Sequence, residues 1–364
     1  MHTRKIAILG AGNGAQAMAG HLSMQGVPVR LYNRFEEEIV ALREQGGVMV
    51  EGKIEGFGPL ELITTDPAPV VSWADILMVV VPAFAHRFIA ETCVPHLHDD
   101  QILILHPGRT GGALEFANTL RERGVRARVT VAEAQSLLYA CRLLRPSLVR
   151  ITGIKRRIRL AAFPANETVT VVDAIRPWYP QVEPASNVLE TSLDNIGAVF
   201  HPGTMVLNAN RIEAGEDFQF YGSMTPSVTR LLEAIDQERL AVARAFRVEL
   251  DSASEWLRRS YEGVFGETLL ERIQSNRAYH GIKAPKSLRV RQILEDVPTG
   301  LVPLASLGAL AGIHTPACRA VTDICCVLLG RDFWAEGRNA RNLGLSGMTV
   351  EEIGEFVSTG ERGA

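Results

Sequence analysis

Two polar motifs in the second half of the chain carry side chains suited to acid–base chemistry. The first is His201-Pro202. A proline inside a helix removes the backbone bond to the carbonyl of Ala198 and distorts the turn that holds His201. Such a distortion can direct an imidazole into a cleft, where it could transfer a proton. The same pattern is also typical of a buried histidine that bonds to a nearby backbone group, so the residues alone leave both interpretations open.

The second motif is a pair of carboxylates, Glu295-Asp296, directly before the segment VPTG at 297–300. The proline and glycine of that segment predict that the carboxylates lie near the end of a helix or in a turn. A carboxylate beside a histidine holds the ring in one tautomer, as acid–base chemistry requires. The spacing does not determine whether Asp296 and His201 meet.

A glycine-rich turn near the start of the chain predicts a dinucleotide site. The apolar run from Ile6 to Leu9 is typical of a buried parallel strand, and it leads into G-x-G-x-x-A at 10–15, followed by helical spacing. The small residues allow a tight turn, close approach of a pyrophosphate and close packing of helix on strand. The helix N-terminus then favours the anion. We predict cofactor contacts at this turn and at the end of a later strand: Gly10, Gly12, Asn13, Gly14, Ala15, Pro82 and Ala83.

The end of the second predicted strand indicates which nicotinamide cofactor is used. Folds of this kind normally place an Asp or Glu there to bind the adenosine ribose, whereas this chain has Asn33-Arg34. Without the acid, nothing repels a 2′-phosphate, and Arg34 can add a charge-assisted contact. We therefore predict that NADP(H) is preferred and that NAD(H) is possible. The alternative is that Arg34 only solvates the following helix.

The elements that must position these residues fall into two groups. Further apolar runs predict strands of the same sheet, at residues 75–81, 101–105 and 129–133. Alternating stretches predict an antiparallel excursion and a two-stranded hairpin around Gly153, at residues 47–63 and 147–163. Past about residue 185 the pattern is helical.

We therefore predict an α/β N-terminal Rossmann-type domain over residues 1–184, with a parallel sheet and helices on both faces. An all-α C-terminal domain, over residues 185–364, is expected to hold the substrate and the acid–base residues, with a cleft between the two domains. The length of 364 residues agrees with two domains.

Composition excludes several classes of protein. With 46% hydrophobic and 22% charged residues, the chain is typical of a globular protein, and a net charge of −3 gives no bulk attraction to nucleic acid. Five cysteines without framework spacing, and a first strand that begins at once, predict a cytoplasmic protein. No histidine or cysteine cluster has the spacing of metal ligands, and no apolar stretch reaches the roughly 20 residues of a membrane span. We expect no metal, no nucleic acid and no membrane.

Taken together, the motifs resemble those of the opine dehydrogenase family, the octopine and N-(carboxyethyl)amino-acid dehydrogenases. The resemblance covers nearly the whole chain; its last three segments are specific, whereas the first would fit many dinucleotide-binding enzymes. The segments are GAGNGAQA (10–17), VVVPAFAH (79–86), HPGRTGGALEF (106–116), EAQSLLYACR (133–142), DNIGAVFHPGTMVLNA (194–209), YGSMTPSV (221–228) and RQILEDVPTGLVPL (291–304).

This resemblance implies an opine dehydrogenase that reduces the imine between a pyruvate-like 2-oxo acid and the amine of an amino acid. The product is a secondary-amine dicarboxylate, with hydride from a nicotinamide cofactor. The family's catalytic histidine and aspartate match His201 and Asp296, and its substrate-carboxylate arginine matches Arg291. We expect Arg142 as a further substrate-binding residue and a homodimer. One departure is His106, where relatives often have asparagine, which leaves the local substrate contacts open.

Two other functions are compatible with the same plan. One is a 2-oxo acid reductase of the ketopantoate reductase or glycerol-phosphate dehydrogenase type. Those families depend on a catalytic lysine, and Lys283 and Lys286 lie in a loop-like stretch. The other is a dinucleotide sensor without turnover, which would leave His201 and the segment around Asp296 without a role. Amine-dependent oxidation of NADPH with a 2-oxo acid distinguishes the three.

Overall fold

A computed structural model describes residues 4–362 of the chain. They form two compact units. The first unit contains the residues up to Ser192 together with those from Glu355 onward, and the second contains Leu193–Gly354. This division differs from the predicted boundary at 184/185 in two respects: the first unit extends to Ser192, and the C-terminal residues return to it.

The first unit is built on a sheet that is mostly parallel. Across the described residues its strands are β1 (Ile6–Leu9), β2 (Val29–Tyr32), β3 (Gly47–Gly52), β4 (Gly56–Pro59), β5 (Leu62–Thr64), β6 (Ile76–Val79), β7 (Ile102–Leu105), β8 (Thr130–Ala134), β9 (Tyr139–Arg145), β10 (Leu148–Ile154), β11 (Ile158–Phe163) and β12 (Val182–Pro184). The main sheet has the order β12-β11-β8-β7-β6-β1-β2-β5, and all pairs from β8 to β5 are parallel. This is the strand order of a doubly wound dinucleotide-binding fold, so the predicted fold class is confirmed.

The remaining strands form a second sheet in the order β4-β3-β10-β9. The antiparallel pair β3–β4 confirms the predicted excursion. The predicted hairpin around Gly153 is wrong: β10 pairs with β9 and β3, whereas β11 pairs with β8 and β12 in the main sheet. Apolar residues alternate along both segments in the sequence, but alternation does not specify the partner of a strand. Gly153 lies instead at a register shift between β10 and β9.

Helices cover the sheets of the first unit. They are α1 (Asn13–Met24), α2 (Val40–Gln45), α3 (Ala68–Val71), α4 (His86–Cys93), α5 (Gly112–Glu122), α6 (Thr168–Ile175) and α7 (Val188–Leu193), with 3₁₀ turns at Glu36–Glu38, Ala83–Ala85, Val94–His96 and Ala165–Glu167. The end of α7 is tied to β8, because the buried carboxylate of Glu133 accepts hydrogen bonds from the hydroxyls of Thr191 and Ser192, each at 2.7 Å. These bonds explain why the first unit extends past residue 184.

The second unit is helical, as predicted. Its helices are α8 (Ile196–Leu207), α9 (Ala209–Glu213), α10 (Pro226–Ala245), α11 (Ala253–Ser260), α12 (Leu269–Ser275), α13 (Arg291–Leu294), α14 (Val302–Leu310), α15 (Pro316–Leu329), α16 (Phe333–Glu336) and α17 (Val350–Thr359), with a 3₁₀ turn at Arg277–Tyr279 and a π-helical turn at Val297–Leu301. The end of α17 lies in the first unit, where the ring of Phe356 packs against Phe163 at a centroid distance of 4.9 Å.

The sequence analysis predicts no apolar stretch long enough to span a membrane, but one helical run meets that criterion. Residues Arg291–Leu310 are long and apolar enough to span a membrane by length and composition, because α13, a short turn, the π-helical turn and α14 follow one another directly. However, 78% of the apolar window in this run is buried inside the protein, which is typical of a core helix.

Candidate active site

The structure brings His201 and Asp296 together. His201 lies in α8, directly before the internal Pro202, and its Nδ1 is 2.6 Å from Oδ2 of Asp296. The carboxylate of Asp296 is fully buried, while a fifth of the imidazole is exposed. With the Nδ1 proton donated to the carboxylate, the ring is held in the tautomer whose Nε2 is an acceptor.

A widened helical turn brings Asp296 to this place. Asp296 follows α13 and precedes the π-helical turn, in which the Leu301 N–H donates to the Asp296 carbonyl at 3.1 Å. The turn approaches α8 at Gly300: a Cβ atom on Gly300 would lie 2.6 Å from Cβ of Ala198. Because only glycine tolerates this approach, the segment can pack close enough for the carboxylate to reach the histidine. π-helical turns occur frequently at functional sites.

The structure adds Tyr221, to which the sequence analysis gave no role. Its hydroxyl is 3.0 Å from Nε2 of His201, and its ring stacks on Tyr279 at a centroid distance of 4.0 Å and an angle of 15°. Burial raises the pKa of Tyr221 well above its usual value, and the nearby Asp296 raises it further, while Arg291 lowers it. The sequence analysis names Tyr221 only within the motif YGSMTPSV, because its contact with His201 joins a loop to a helix and has no local sequence signal.

Arg291, the predicted carboxylate ligand, begins α13. Its Nε lies 3.4 Å from the carboxylate of Glu295, and 64% of its side chain is exposed. Its charge also lowers the pKa of Tyr221. An exposed guanidinium beside an acid–base pair is able to bind a substrate anion.

Arg142, the other predicted substrate ligand, lies in the first unit. It is exposed on β9, opposite Arg150 of β10. It is therefore not one of the residues that the second unit gathers around His201. The two lysines considered for a reductase have other contacts: Lys283 pairs with Asp217 at 2.7 Å, and Lys286 donates to the carbonyls of Gly215 and Glu216.

The glycine-rich turn of the first unit fits a dinucleotide. Gly10 has φ +122°, and a Cβ atom there would lie 2.5 Å from the carbonyl oxygen of Val80, so no other residue is tolerated without strain. Gly12 is the N-cap of α1 without a side-chain cap, and a Cβ atom at Gly12 would meet no atom within 4 Å. The first turn of α1 contains no acidic residue. Open space at an uncapped helix N-terminus suits a diphosphate.

The other residues of this turn support its shape. Gly14 and Ala15 are buried, and a Cβ atom on Gly14 would lie 2.9 Å from a methyl group of Leu137. The Asn13 side-chain oxygen accepts the N–H of Leu143 at 3.1 Å. Two further predicted cofactor residues follow β6. Pro82 is exposed and directly precedes a 3₁₀ turn, and the buried Ala83 is the first residue of that turn.

A carboxylate lies beside the end of β2, the position from which the cofactor type was predicted. The buried Asn33 amide donates to the carboxylate of Glu38 at 2.9 Å, so an acid from the next turn lies beside the position where the sequence shows none. Arg34 is exposed, and its guanidinium lies 4.6 Å above the ring of Phe88. An exposed guanidinium in this position can bind an anion.

His106, the departure from the family pattern, is buried at the end of β7. Its Nε2 lies 3.2 Å from Sδ of Met78, and burial lowers the pKa of His106 from 6.5 to about 4. The ring is therefore neutral in the folded protein at neutral pH, whereas the unfolded chain binds a proton near pH 6.5.

Replacing His106 should make the protein more resistant to acid. Since the pKa is depressed in the folded state, the associated stability is present above pH 6.5 and is lost as the pH falls to about 4. Over this pH range, we expect the free energy of unfolding of His106→Asn to fall by about 3 kcal/mol less than that of the natural protein. Urea unfolding above pH 6.5 and at about pH 4 measures the difference. The exposed His98→Asn serves as the control, and equal losses in all three proteins would contradict the prediction.

Between residues 4 and 362, no group of three or more His, Cys, Asp or Glu side chains is arranged to hold a metal ion.

Comparison with known proteins identifies relatives over nearly the whole chain. Residues 184–329 match the model of the NAD/NADP octopine/nopaline dehydrogenase α-helical domain, and residues 5–108 match that of the NAD-dependent glycerol-3-phosphate dehydrogenase N-terminus. An opine dehydrogenase of Arthrobacter sp. (strain 1C) is 40% identical over 98% of this chain and 99% of its own length. An opine dehydrogenase of Haliotis discus hannai is 26% identical over 91% and 92%.

Solved structures agree on the fold. Octopine dehydrogenase in complex with NADH and agmatine superposes with a TM-score of 0.84 at 22% identity, covering 100% of this chain and 99% of that one. NADP⁺-bound yersinopine dehydrogenase superposes with a TM-score of 0.76 at 18% identity, covering 98% and 99%.

Proposed function

Because the chain belongs to the opine dehydrogenase family and reductively condenses a 2-oxo acid with an amine at the expense of NAD(P)H, we propose that His201 and Asp296 supply the proton for this reaction. The observation that supports this assignment is the 2.6 Å contact between Nδ1 of His201 and the buried carboxylate of Asp296. In the reductive direction the imidazolium donates a proton as the C=N bond becomes a secondary amine. Asp296 orients the ring and stabilises its charged form.

The cofactor is proposed to lie against the turn at Gly10 and Gly12. When bound, the nicotinamide supplies the hydride, which is the part of the chemistry that protein side chains do not provide. The chain's contribution is to hold the diphosphate at the N-terminus of α1 and to exclude side chains from that space.

Arg291 is proposed to hold a substrate carboxylate. Both a 2-oxo acid and an amino acid carry one, and a planar guanidinium fixes its orientation with two parallel hydrogen bonds. Structures of octopine dehydrogenase with pyruvate and with L-arginine support substrates of these two classes. Arg142, which is exposed on β9, is proposed as a further substrate-binding residue. The homodimer and the cytoplasmic location stay predictions; light scattering of the purified protein checks the first.

A substrate screen tests the proposed function. The purified protein is mixed with NADPH or NADH, pyruvate and each amino acid in turn, and the product mass is determined. We expect oxidation of the cofactor that requires the amine, and a product whose mass is that of both substrates less one oxygen atom. Oxidation with the 2-oxo acid alone, giving a hydroxy acid, would indicate a reductase of the ketopantoate type. Cofactor binding without oxidation would indicate a sensor.

We propose that NADP(H) is preferred, on the basis of Arg34. Its exposed guanidinium can pair with a 2′-phosphate, while Asn33 engages the neighbouring carboxylate of Glu38. We expect a lower KM for NADPH than for NADH, and the double change Asn33→Asp with Arg34→Ala should reverse the order. Arg87→Ala removes another exposed arginine and should not change it. A tenfold preference of the natural protein for NADH, or about 1.4 kcal/mol, would show the assignment to be wrong.

A further inference from the structure

Neither ring nitrogen of His201 faces an open position. Nδ1 is engaged by Asp296 and Nε2 by the hydroxyl of Tyr221, at 2.6 and 3.0 Å. Since Nδ1 faces the carboxylate, any proton that His201 exchanges with a substrate passes at Nε2. The carboxylate, the imidazole and the phenol therefore form a chain of hydrogen bonds that ends at the phenol.

The ring of Tyr221 is held in place from several sides. It stacks on Tyr279 and makes an edge contact with Phe220, with a centroid distance of 5.0 Å and an angle of 86°. The backbone of Phe220 donates to the carbonyl of Ile282 at 2.8 Å, which ties this loop to the loop that follows Tyr279. Displacing the hydroxyl from Nε2 would require loss of the stacking or of this backbone bond. The hydroxyl is therefore held at Nε2, the nitrogen through which His201 would exchange a proton with a substrate.

A buried phenol suits the transfer of a proton. Because burial raises the pKa of Tyr221 well above its usual value, the group stays protonated at neutral pH. A hydroxyl has one donor and two acceptor positions, so it can accept one proton while it releases another. The charged groups that act on it are the carboxylate of Asp296 and the guanidinium of Arg291, and the phenols of Tyr261 and Tyr279 lie next to it.

We propose that Tyr221 is a catalytic residue that relays the proton between His201 and the substrate nitrogen. As the imine carbon takes up the hydride, the C=N electron pair forms an N–H bond with the proton of the Tyr221 hydroxyl. The electrons of the broken O–H bond take the Nε2 proton of His201, so Tyr221 is a phenol again and the imidazolium becomes neutral. One hydride and one proton are consumed for each secondary amine formed. The relay rests on the proposed function, since it requires that function's proton donor.

Tyr221→Phe tests the relay while keeping the aromatic ring. We expect kcat to fall about 10²–10⁴-fold, the range typical of general acid–base catalysis. We expect the cofactor KM to stay within about twofold, because the diphosphate turn is unchanged. Since Tyr221 and His201 act in series, adding His201→Ala to Tyr221→Phe should lower kcat by no more than about twofold beyond the slower single variant.

A matched control is offered by another buried tyrosine that bonds to a histidine. The hydroxyl of Tyr139 lies 2.9 Å from Nδ1 of His21 in the first unit. Tyr139→Phe therefore removes the same kind of hydrogen bond, and kcat should stay within about twofold of the natural enzyme. Thermal melting of both variants shows whether each is folded.

A proton inventory, the dependence of kcat on the deuterium fraction of the solvent, tests the relay without any substitution. Two protons move together in the relay, so the plot for the natural enzyme should be curved, and Tyr221→Phe should give a straight line. A straight line for the natural enzyme, or a natural kcat in Tyr221→Phe, would overturn the relay and leave the proposed function intact. A protein without amine-dependent turnover would overturn both.

Discussion

His201→Ala is expected to lower kcat about 10²–10⁴-fold. The imidazole is the group that Asp296 orients, through a contact of 2.6 Å with a fully buried carboxylate. Steady-state rates in both directions, with saturating cofactor, measure the loss. The cofactor KM should stay within about twofold, because His201 is not part of the diphosphate turn.

The control for this experiment is another histidine of the second unit. His280 is exposed, and its ring lies 3.0 Å from the carbonyl oxygen of Gln274. His280→Ala should leave kcat within about twofold of the natural value. If His201→Ala retains most of its kcat, the proton comes from elsewhere and the assignment of the pair is wrong.

Arg291→Lys is expected to raise the KM of the 2-oxo acid or of the amino acid about tenfold or more. The substitution keeps the charge but removes the bidentate geometry, and a hydrogen bond to a charged group contributes roughly 1.5–3 kcal/mol. The lysine also leaves the ion pair with Glu295 possible, so the local helix should remain intact. Initial rates at fixed cofactor, with each organic substrate varied in turn, give both KM values. The KM for NADPH should change by no more than about twofold.

Arg289→Lys is the matched control, because it makes the same chemical change two residues away. The Arg289 guanidinium donates to the carbonyl of Leu329 at 3.0 Å, which is a structural contact. Its substitution should leave both substrate KM values unchanged. If Arg291→Lys also shows natural KM values, Arg291 is a surface residue, and Arg142 and Arg109 are the next candidates for the carboxylate ligand.

The dinucleotide turn could be predicted from sequence because its physical requirements are local. Gly10 is required by its own φ angle and by the neighbouring strand, and Gly12 leaves the space in front of α1 open. The parallel strands were predicted for a similar reason, since short apolar runs are sufficient evidence of burial on both faces. Residues close in sequence thus carried both predictions.

The site in the second unit depends on contacts between residues far apart in the chain. His201 and Asp296 were each selected by a nearby proline, but their pairing was supplied only by the family resemblance. Tyr221 lies in a loop, and its role follows from stacking on Tyr279 and from the bond to His201, neither of which has a periodic signal. The incorrect hairpin around Gly153 has the same origin, because β10 and β11 take partners from different sheets.

The return of the C-terminal residues to the first unit has a consequence for protein engineering. The chain enters the second unit once, after Ser192, and leaves it once, before Glu355, so the helical unit is an internal insertion and the dinucleotide-binding unit is discontinuous. A single cut cannot yield a whole dinucleotide-binding unit, since its final helical segment with Phe356 would be missing. An exchange of the helical unit between relatives would instead move residues 193–354 as one cassette with two junctions. The recipient enzyme would then keep its own dinucleotide-binding unit complete.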